Sequence, residues 1–311
     1  MAELTVTKDK ILLKGVKDFG SPFVLVGAIG NVEISSSMTT KAFFVGNGIE
    51  RVLSDNDSIQ LTGEFGLYGE ETTFQSLSLI GDMDSVKVIG NKDLKVLSID
   101  SLELNDFEIE GSLIEDLRLK AVESGKFDLS LNEMRTLSYL LINLPSLNSL
   151  NISNCTLMRE LHLFNYNNSV LLLNSLNSLR VIELINTGII DLDLSNNEQL
   201  DDLTVKSSDV SDIKIPKSLK FTNIGNCNNL TMLDFSGASS FNDAIITNCD
   251  SLSLIALKGT SLESNEDKLR ILINSLNSRI GLSEGEIIIS DQSMVDSVKD
   301  LAIQKNWLVS I

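Results

Sequence analysis

The amino-acid sequence predicts a mainly β protein, a parallel β-solenoid with about 21 residues and two strands per coil, closed by a small C-terminal αβαβ cap. Three observations predict it. A unit of the form apolar-x-x-apolar-x-apolar recurs every ten or eleven residues through most of the chain. Asn, Ser, Asp and Gly separate the copies, as turns require. After Leu262 the hydrophobic period changes from two to about 3.6.

The unit is clear at Leu94, Leu97, Ile99, at Ile114, Leu117, Leu119, at Leu161 and Leu163, at Leu203 and Val205, and lastly at Leu252, Ile255, Leu257. Weaker copies at Phe74, Met83, Ser124, Leu137, Asn168, Leu219 and Phe241 fill the gaps, giving a mean step of about 10.5 residues. Positions four and six alternate with polar residues, the period of a strand with one buried face. One coil cannot bury its own apolar set, so coils must stack. Ile29, Val32, Ile34, Phe43 and Val45 echo the unit, so the expected solenoid runs over 29–261. Residues 1–28 alternate apolar and polar and are expected to form an N-terminal β cap. Residues 262–311 form the C-terminal cap. Ser264 and Asp267 suggest a capping box, Leu269, Leu272, Ile273 and Leu276 a helical stripe, and Glu286–Ser290 a strand. Met294, Val298, Leu301 and Ala302 mark a second helix, and Trp307–Ile311 a last strand.

Ile-Ser-Asn-Cys at 152–155, Leu-Ser-Asn-Asn at 194–197, Ile-Gly-Asn-Cys at 224–227 and Ile-Thr-Asn-Cys at 246–249 resemble leucine-rich repeats. The family pattern L-x-x-L-x-L-x-x-N/C puts its Asn or Cys slot on Cys155, Asn197, Cys227 and Cys249. The variety with a short strand in place of the convex helix is similar to repeats of Bacteroidetes surface proteins and their phages. The close of the chain is similar to tails ending in Lys-Gly-Trp plus a strand, with Asn306 in place of the Gly. The occupied slots lie 42, 30 and 22 residues apart. The step of 30 is not a whole number of coils, which leaves a three-sided β-helix open near Pro216.

Composition excludes several function classes. Lys and Arg number 25 against 43 Asp and Glu, a formal charge of −18. That argues against nucleic acid and anionic membranes. No apolar run approaches the roughly 18 residues that span a bilayer, and the charged N-terminus does not read as a signal peptide. The three cysteines are too far apart for a disulfide framework or a zinc site. His162 reads as an exposed imidazole, and Gly63–Gly69 as turn glycines rather than a phosphate loop. No catalytic residue, cofactor site or metal ligand is singled out. One sheet is expected to show Asp106, Glu108, Asp128, Asp191, Asp193, Asp212 and Asp234 outward, interleaved with Lys87, Lys126 and Lys214. Calcium between such ladders is the one cofactor left open, although no calcium-binding loop appears.

The other sheet is expected to carry Val96, Tyr139, Leu141, Val181, Phe221 and Ile245 outward. Aligned slots would make these a contiguous apolar patch and the partner-binding surface. The expected function is therefore a non-enzymatic structural or interaction protein working through protein–protein contacts, homo-oligomerisation included. The resemblance implies a phage virion component of tail, fibre or head-decoration type, made in the host cytoplasm, with other virion proteins or a host surface receptor as partners. The alternative it implies is a bacterial cell-surface adhesin or ligand-binding repeat protein. A polysaccharide-active β-helix enzyme is a third reading.

Overall fold

The computed structural model describes the backbone of residues 4–7, 10–13, 24–38, 42–46, 49–53, 59–68, 74–89, 94–110, 113–132 and 134–311. Side chains are described for Val26 and, from Gln75 onward, for nearly all of these residues. The chain divides into two compact units, residues 1–155 and 156–311. The protein is mainly β, a parallel β-solenoid of about 21 residues per turn, with few helices and a C-terminal cap.

Each coil contributes one longer strand to a wide sheet and one shorter strand to a narrow sheet. In the first unit the wide strands are Phe74–Ile89, Val96–Leu104, Asp116–Ser124 and Tyr139–Asn143. Their register stacks Leu77, Leu97, Leu117 and Leu140 in one row and Leu79, Ile99, Leu119 and Ile142 in the next. All eight are almost fully buried. In the second unit Glu160–Phe164, Val181–Ile185, Asp202–Lys206, Phe221–Gly225 and Asp243–Thr247 stack Leu163, Leu184, Val205, Ile224 and Ile246 in the same way. Thr222 occupies an inward slot, and its hydroxyl donates to the Leu203 carbonyl at 3.0 Å, which satisfies the buried oxygen.

The narrow strands pair in parallel too: Asp128–Ser130 with Ser149–Asn151, and Asp191–Asp193 with Asp212–Lys214. The order Met232–Asp234, Leu254–Ala256, Gly285–Ile288, Trp307–Ser310 carries this sheet into the cap.

The two corners of a coil use different chemistry. After each wide strand of the second unit one residue takes the left-handed conformation: Asn165, Asn186, Ser207, Asn226 and Asn248, with φ between 51° and 56°. Asn tolerates this region better than most residues, and its amide can bond along the stack. Asn186 Nδ2 donates to Asn165 Oδ1 at 2.6 Å, and Asn248 Nδ2 to Asn226 Oδ1 at 3.0 Å. After the narrow strand come two three-residue turns, as at Leu194, Asn197 and Leu200.

The uneven Asn/Cys spacing follows from these corners. Cys155 and Asn197 close narrow strands, and each donates to a carbonyl 24 residues earlier, Leu131 and Leu173. Cys227 and Cys249 follow the left-handed residues at the other corner. The step of 30 therefore crosses from one corner to the other, and the coil remains two-sided through Pro216. That coil is shorter, with Asp202 paired to Phe221 nineteen residues on. One of the two usual turns is absent there, and Leu219 N–H bonds the Pro216 carbonyl directly.

Near the N-terminus the pairing differs from the expected coils. Val24–Met38 pairs antiparallel with both Ile59–Tyr68 and Phe74–Ile89, and Ala42–Gly46 forms an antiparallel ladder with Ile49–Leu53. The boundary expected at residue 28 falls inside one strand. Alternation reports which face is buried and says nothing of strand direction.

In the cap, helix α1, Glu266–Ser275, buries Leu269, Leu272 and Ile273, and helix α2, Gln292–Ile303, buries Val295, Val298 and Ala302. The N-cap of α1 is Asn265, which accepts from Lys268 N–H at 3.1 Å, one residue after the expected Ser264. The first cap strand begins at Gly285, one residue before the expected Glu286. A Cβ at Gly285 would lie 2.6 Å from the Trp307 ring, so only glycine lets that indole close on the strand.

Replacing Asn197 by Ala is expected to cost about 1–3 kcal/mol, because its buried amide donates to both Leu173 and Leu176 carbonyls. Urea titration against exposed Asn196→Ala, expected within about 0.5 kcal/mol of the parent, checks this. Ending the chain at residue 261 removes the cap strand that pairs with Leu254–Ala256. The truncated protein is expected to aggregate or melt lower. An unchanged melting curve would mean the cap folds independently.

Candidate interaction surface

The six residues expected outward on one sheet all lie in outward slots of the wide sheet. In the first unit Val96, Asp116 and Tyr139 are successive members of one row, and Arg118 is paired with Leu141 in the next. Val96 is thus separated from Tyr139 by a carboxylate, while Tyr139 and Leu141 share a strand. Arg118, which the sequence did not single out, organises this group. Its Nε donates to Asp116 Oδ1 at 2.9 Å and its Nη2 to Oδ2 at 2.8 Å. The guanidinium lies 4.7 Å from the Tyr139 ring centre. A bidentate pair and a cation–π contact together hold a long side chain in one pose.

In the second unit one outward row reads Glu160, Val181, Asp202, Phe221, Asp243, and the next His162, Glu183, Thr204, Asn223, Ile245. Val181 and Phe221 are half-buried and Ile245 is 39% exposed. A carboxylate separates each pair of apolar residues in the first row. The contiguous patch expected from the sequence is therefore a row of alternating apolar and acidic side chains. Strand alternation gives the facing of each residue but not its neighbour in the stack.

His162 is not the exposed imidazole expected. Its side chain is only 15% exposed, with Nδ1 2.9 Å from Glu183 Oε2 and Nε2 3.6 Å from Glu160 Oε2. The flat stack brings carboxylates from its own and the next strand over the ring.

Asp128, Asp191, Asp193, Asp212 and Asp234 lie on narrow strands, as expected, while Asp106 and Glu108 lie on a strand, Asp106–Glu110, that pairs with Phe74–Ile89 of the wide sheet. Lys87 pairs with Glu108 at 2.6 Å, and Lys214 with Asp193 at 2.8 Å. The three cysteines are free and buried. Burial pushes the Cys155 thiol up to about 12. A hydrogen bond with Cys227 and burial hold the Cys249 thiol well above its ordinary range. Protonated, enclosed thiols are inert, which fits packing roles for Cys155 and Cys249, whereas the hydrogen bond with Cys249 draws the Cys227 thiol down. Of the Gly63–Gly69 segment, residues 63–68 lie within strand Ile59–Tyr68, and Gly69 lies outside the described residues. Among the described residues no group of three or more His, Cys, Asp or Glu side chains is placed to hold a metal ion. No described helix is long and apolar enough to cross a membrane.

No protein-family model matches the chain, and no curated protein does. Among solved structures, the functional domain of InlJ from Listeria monocytogenes, which includes a cysteine ladder, is similar over 81% of this chain and 76% of that chain, at 13% identity and a TM-score of 0.28. At that level the solenoid rests on the strand registers above, not on the likeness.

Two carboxylates give opposite pH signatures. Burial first, then the charges of Glu183 and Asp201, hold Asp202 above the usual carboxylate range. Its charged form is disfavoured in the fold, so it lowers stability at neutral pH, and this penalty vanishes below the unfolded value of about 3.9. Lys214 first, then the Ser195 hydroxyl and amide, bring Asp193 down to about 2. Its stabilisation is present above about 3.9 and is lost as pH falls toward 2. Asp202→Asn is expected to melt above the parent at pH 7 and level with it near pH 3. Asp193→Asn is expected to melt below the parent at pH 7, the gap closing between pH 4 and 2. Calorimetric scans across pH check both.

Proposed function

We propose that this protein is a non-enzymatic interaction scaffold whose wide sheet binds protein partners through outward aromatic and aliphatic side chains. The anchors are Tyr139 and Leu141, with Val96 one strand beyond Asp116, in the first unit, and Val181, Phe221 and Ile245 in the second. The observation that carries this reading is the pose of Arg118, fixed between Asp116 and the Tyr139 ring beside Leu141. Tyr and Arg dominate the energetics of protein interfaces, and fixing them beforehand removes part of the entropy cost of association. Aromatic rings add the largest buried area per side chain.

The resemblance of the repeats points to two settings, a phage virion and a bacterial cell surface. The same face serves either, since both require protein contacts along a repetitive scaffold. Mass spectrometry of purified virions and of protease-shaved cell surfaces assigns the setting.

A photo-crosslinking amino acid at position 139 or 221 is expected to capture a partner protein in the native particle or envelope, and one at exposed Glu284 is not. The double variant Tyr139→Asp, Phe221→Asp is expected to abolish co-purification of that partner while its melting temperature stays within a few degrees of the parent. Capture at Glu284 alone, or co-purification that survives the double variant, overturns the reading.

A further inference from the structure

The narrow sheet of the second unit is not acidic throughout. Register places Met232, Leu254, Glu286 and Leu308 in one outward row, and Asp234, Ala256, Ile288 and Ser310 in the next. Met232 and Leu308 are 45% and 42% exposed, while Leu254 and Ile288 are half-buried. Ser310 Oγ donates to Glu286 Oε1 at 2.6 Å, which ties down the one carboxylate in these last three strands' outward slots. Met232, Leu254, Ala256, Ile288 and Leu308 thus make these four strands mostly apolar outward, with Asp234 and the tied Glu286 the two carboxylates among them. The coils before them are different. Asp191 is paired directly with Asp212, like charges on neighbouring strands, and Asp193 with Lys214. Adjacent like charges destabilise a sheet, so this row costs the free protein stability.

We infer that this face docks a partner protein whose contact segment carries a block of apolar side chains followed by a block of Lys or Arg. Area and charge select that occupant. Strands about 4.8 Å apart make the apolar zone on the order of 200 Å², far below the roughly 800 Å² per partner of a stable interface. A partner must therefore also cover Asp234, at the margin of the apolar zone, and the adjoining strands, where Asp191 and Asp212 face outward. Those carboxylates demand cations. A second copy of this chain, itself at −18, meets them with more negative charge. The surface is separate from the wide-sheet face and does not depend on it.

The test uses the full chain as bait for a displayed library of random 16-residue peptides, followed by affinity measurement on synthesised winners. Enriched peptides are expected to join an apolar block to a basic one and to weaken at least tenfold between 50 and 500 mM NaCl. Leu254→Asp is expected to weaken them at least tenfold, and so is the triple variant Asp191→Asn, Asp212→Asn, Asp234→Asn. The milder pair Met232→Ser, Leu308→Ser replaces Leu254→Asp if that variant melts below the parent. A screen without enrichment, or winners indifferent to all these variants, overturns the inference. Winners lost only with Phe221→Asp also overturn it while supporting the wide-sheet reading. Winners lost only here leave the wide-sheet reading to its own crosslinking test.

Discussion

Everything in this protein depends on the parallel backbone ladder between successive coils. A coil of about 21 residues has no interior of its own, and its inward side chains leave water only when the next coil is laid against them. The ladder sets the distance at about 4.8 Å and keeps corresponding residues in line. Each inward slot is therefore a row, and the row from Leu163 to Ile246 holds one aliphatic residue per coil because each packs on the one before. Corners obey the same rule. A coil can turn only where its neighbours turn, and five residues in succession take left-handed geometry in one line.

That constraint also arranges the exterior. An outward residue has two neighbours fixed by register, so surface chemistry comes in rows. Lys87 lies against Glu108 and Asp193 against Lys214, where opposite charges one coil apart relieve repulsion. Asp191 and Asp212 are like charges directly paired, and the charge of Lys214 offsets only part of their repulsion. Binding surfaces are then combinations of rows. One wide-sheet row of the second unit alternates acidic with apolar side chains, whereas the end of the narrow sheet is mostly apolar, with Asp234 and Glu286 among its outward slots.

Much of this was legible in the sequence, because rows impose periodicity. The period of two located the strands, and the change to 3.6 located both helices. Which residues face outward was legible too, since facing follows from alternation alone. Quantities set between coils were not legible. The antiparallel pairing of Val24–Met38 leaves the same alternation as a parallel strand would. Cys155 and Cys227 share a motif but close different corners, which only the path of the chain reveals. The short coil at Pro216 loses a turn and keeps its apolar residues, so its unit reads as regular. Arg118 escaped attention because its weight comes from Asp116 on its own strand and Tyr139 on the next, a relation fixed by register.

The cap shows what the ladder demands where it stops. The wide strand Asp243–Thr247 has no further coil beside it in its unit, which would leave a row of open amide groups. Edges of that kind recruit other chains. Instead α1 lies alongside, and polar side chains at its C-terminal end stand in for the absent backbone. Ser275 Oγ accepts from Ile246 N–H at 3.0 Å, and Asn277 Oδ1 from Asn248 N–H at 2.7 Å. At the adjoining corner buried Arg279 donates to the Asp250 and Leu252 carbonyls at 3.2 and 2.6 Å, and its guanidinium faces the Trp307 ring. The open end of α1 is met in turn by Lys305 Nζ, which donates to the Asn274 and Leu276 carbonyls at 2.6 Å each. The narrow sheet ends differently. It passes through two more parallel strands, and its edge strand presents Leu308 outward beside Glu286. The sheet most completely sealed is thus the one whose face alternates charge with apolar groups, and the sheet carried furthest is the one whose outer face turns apolar.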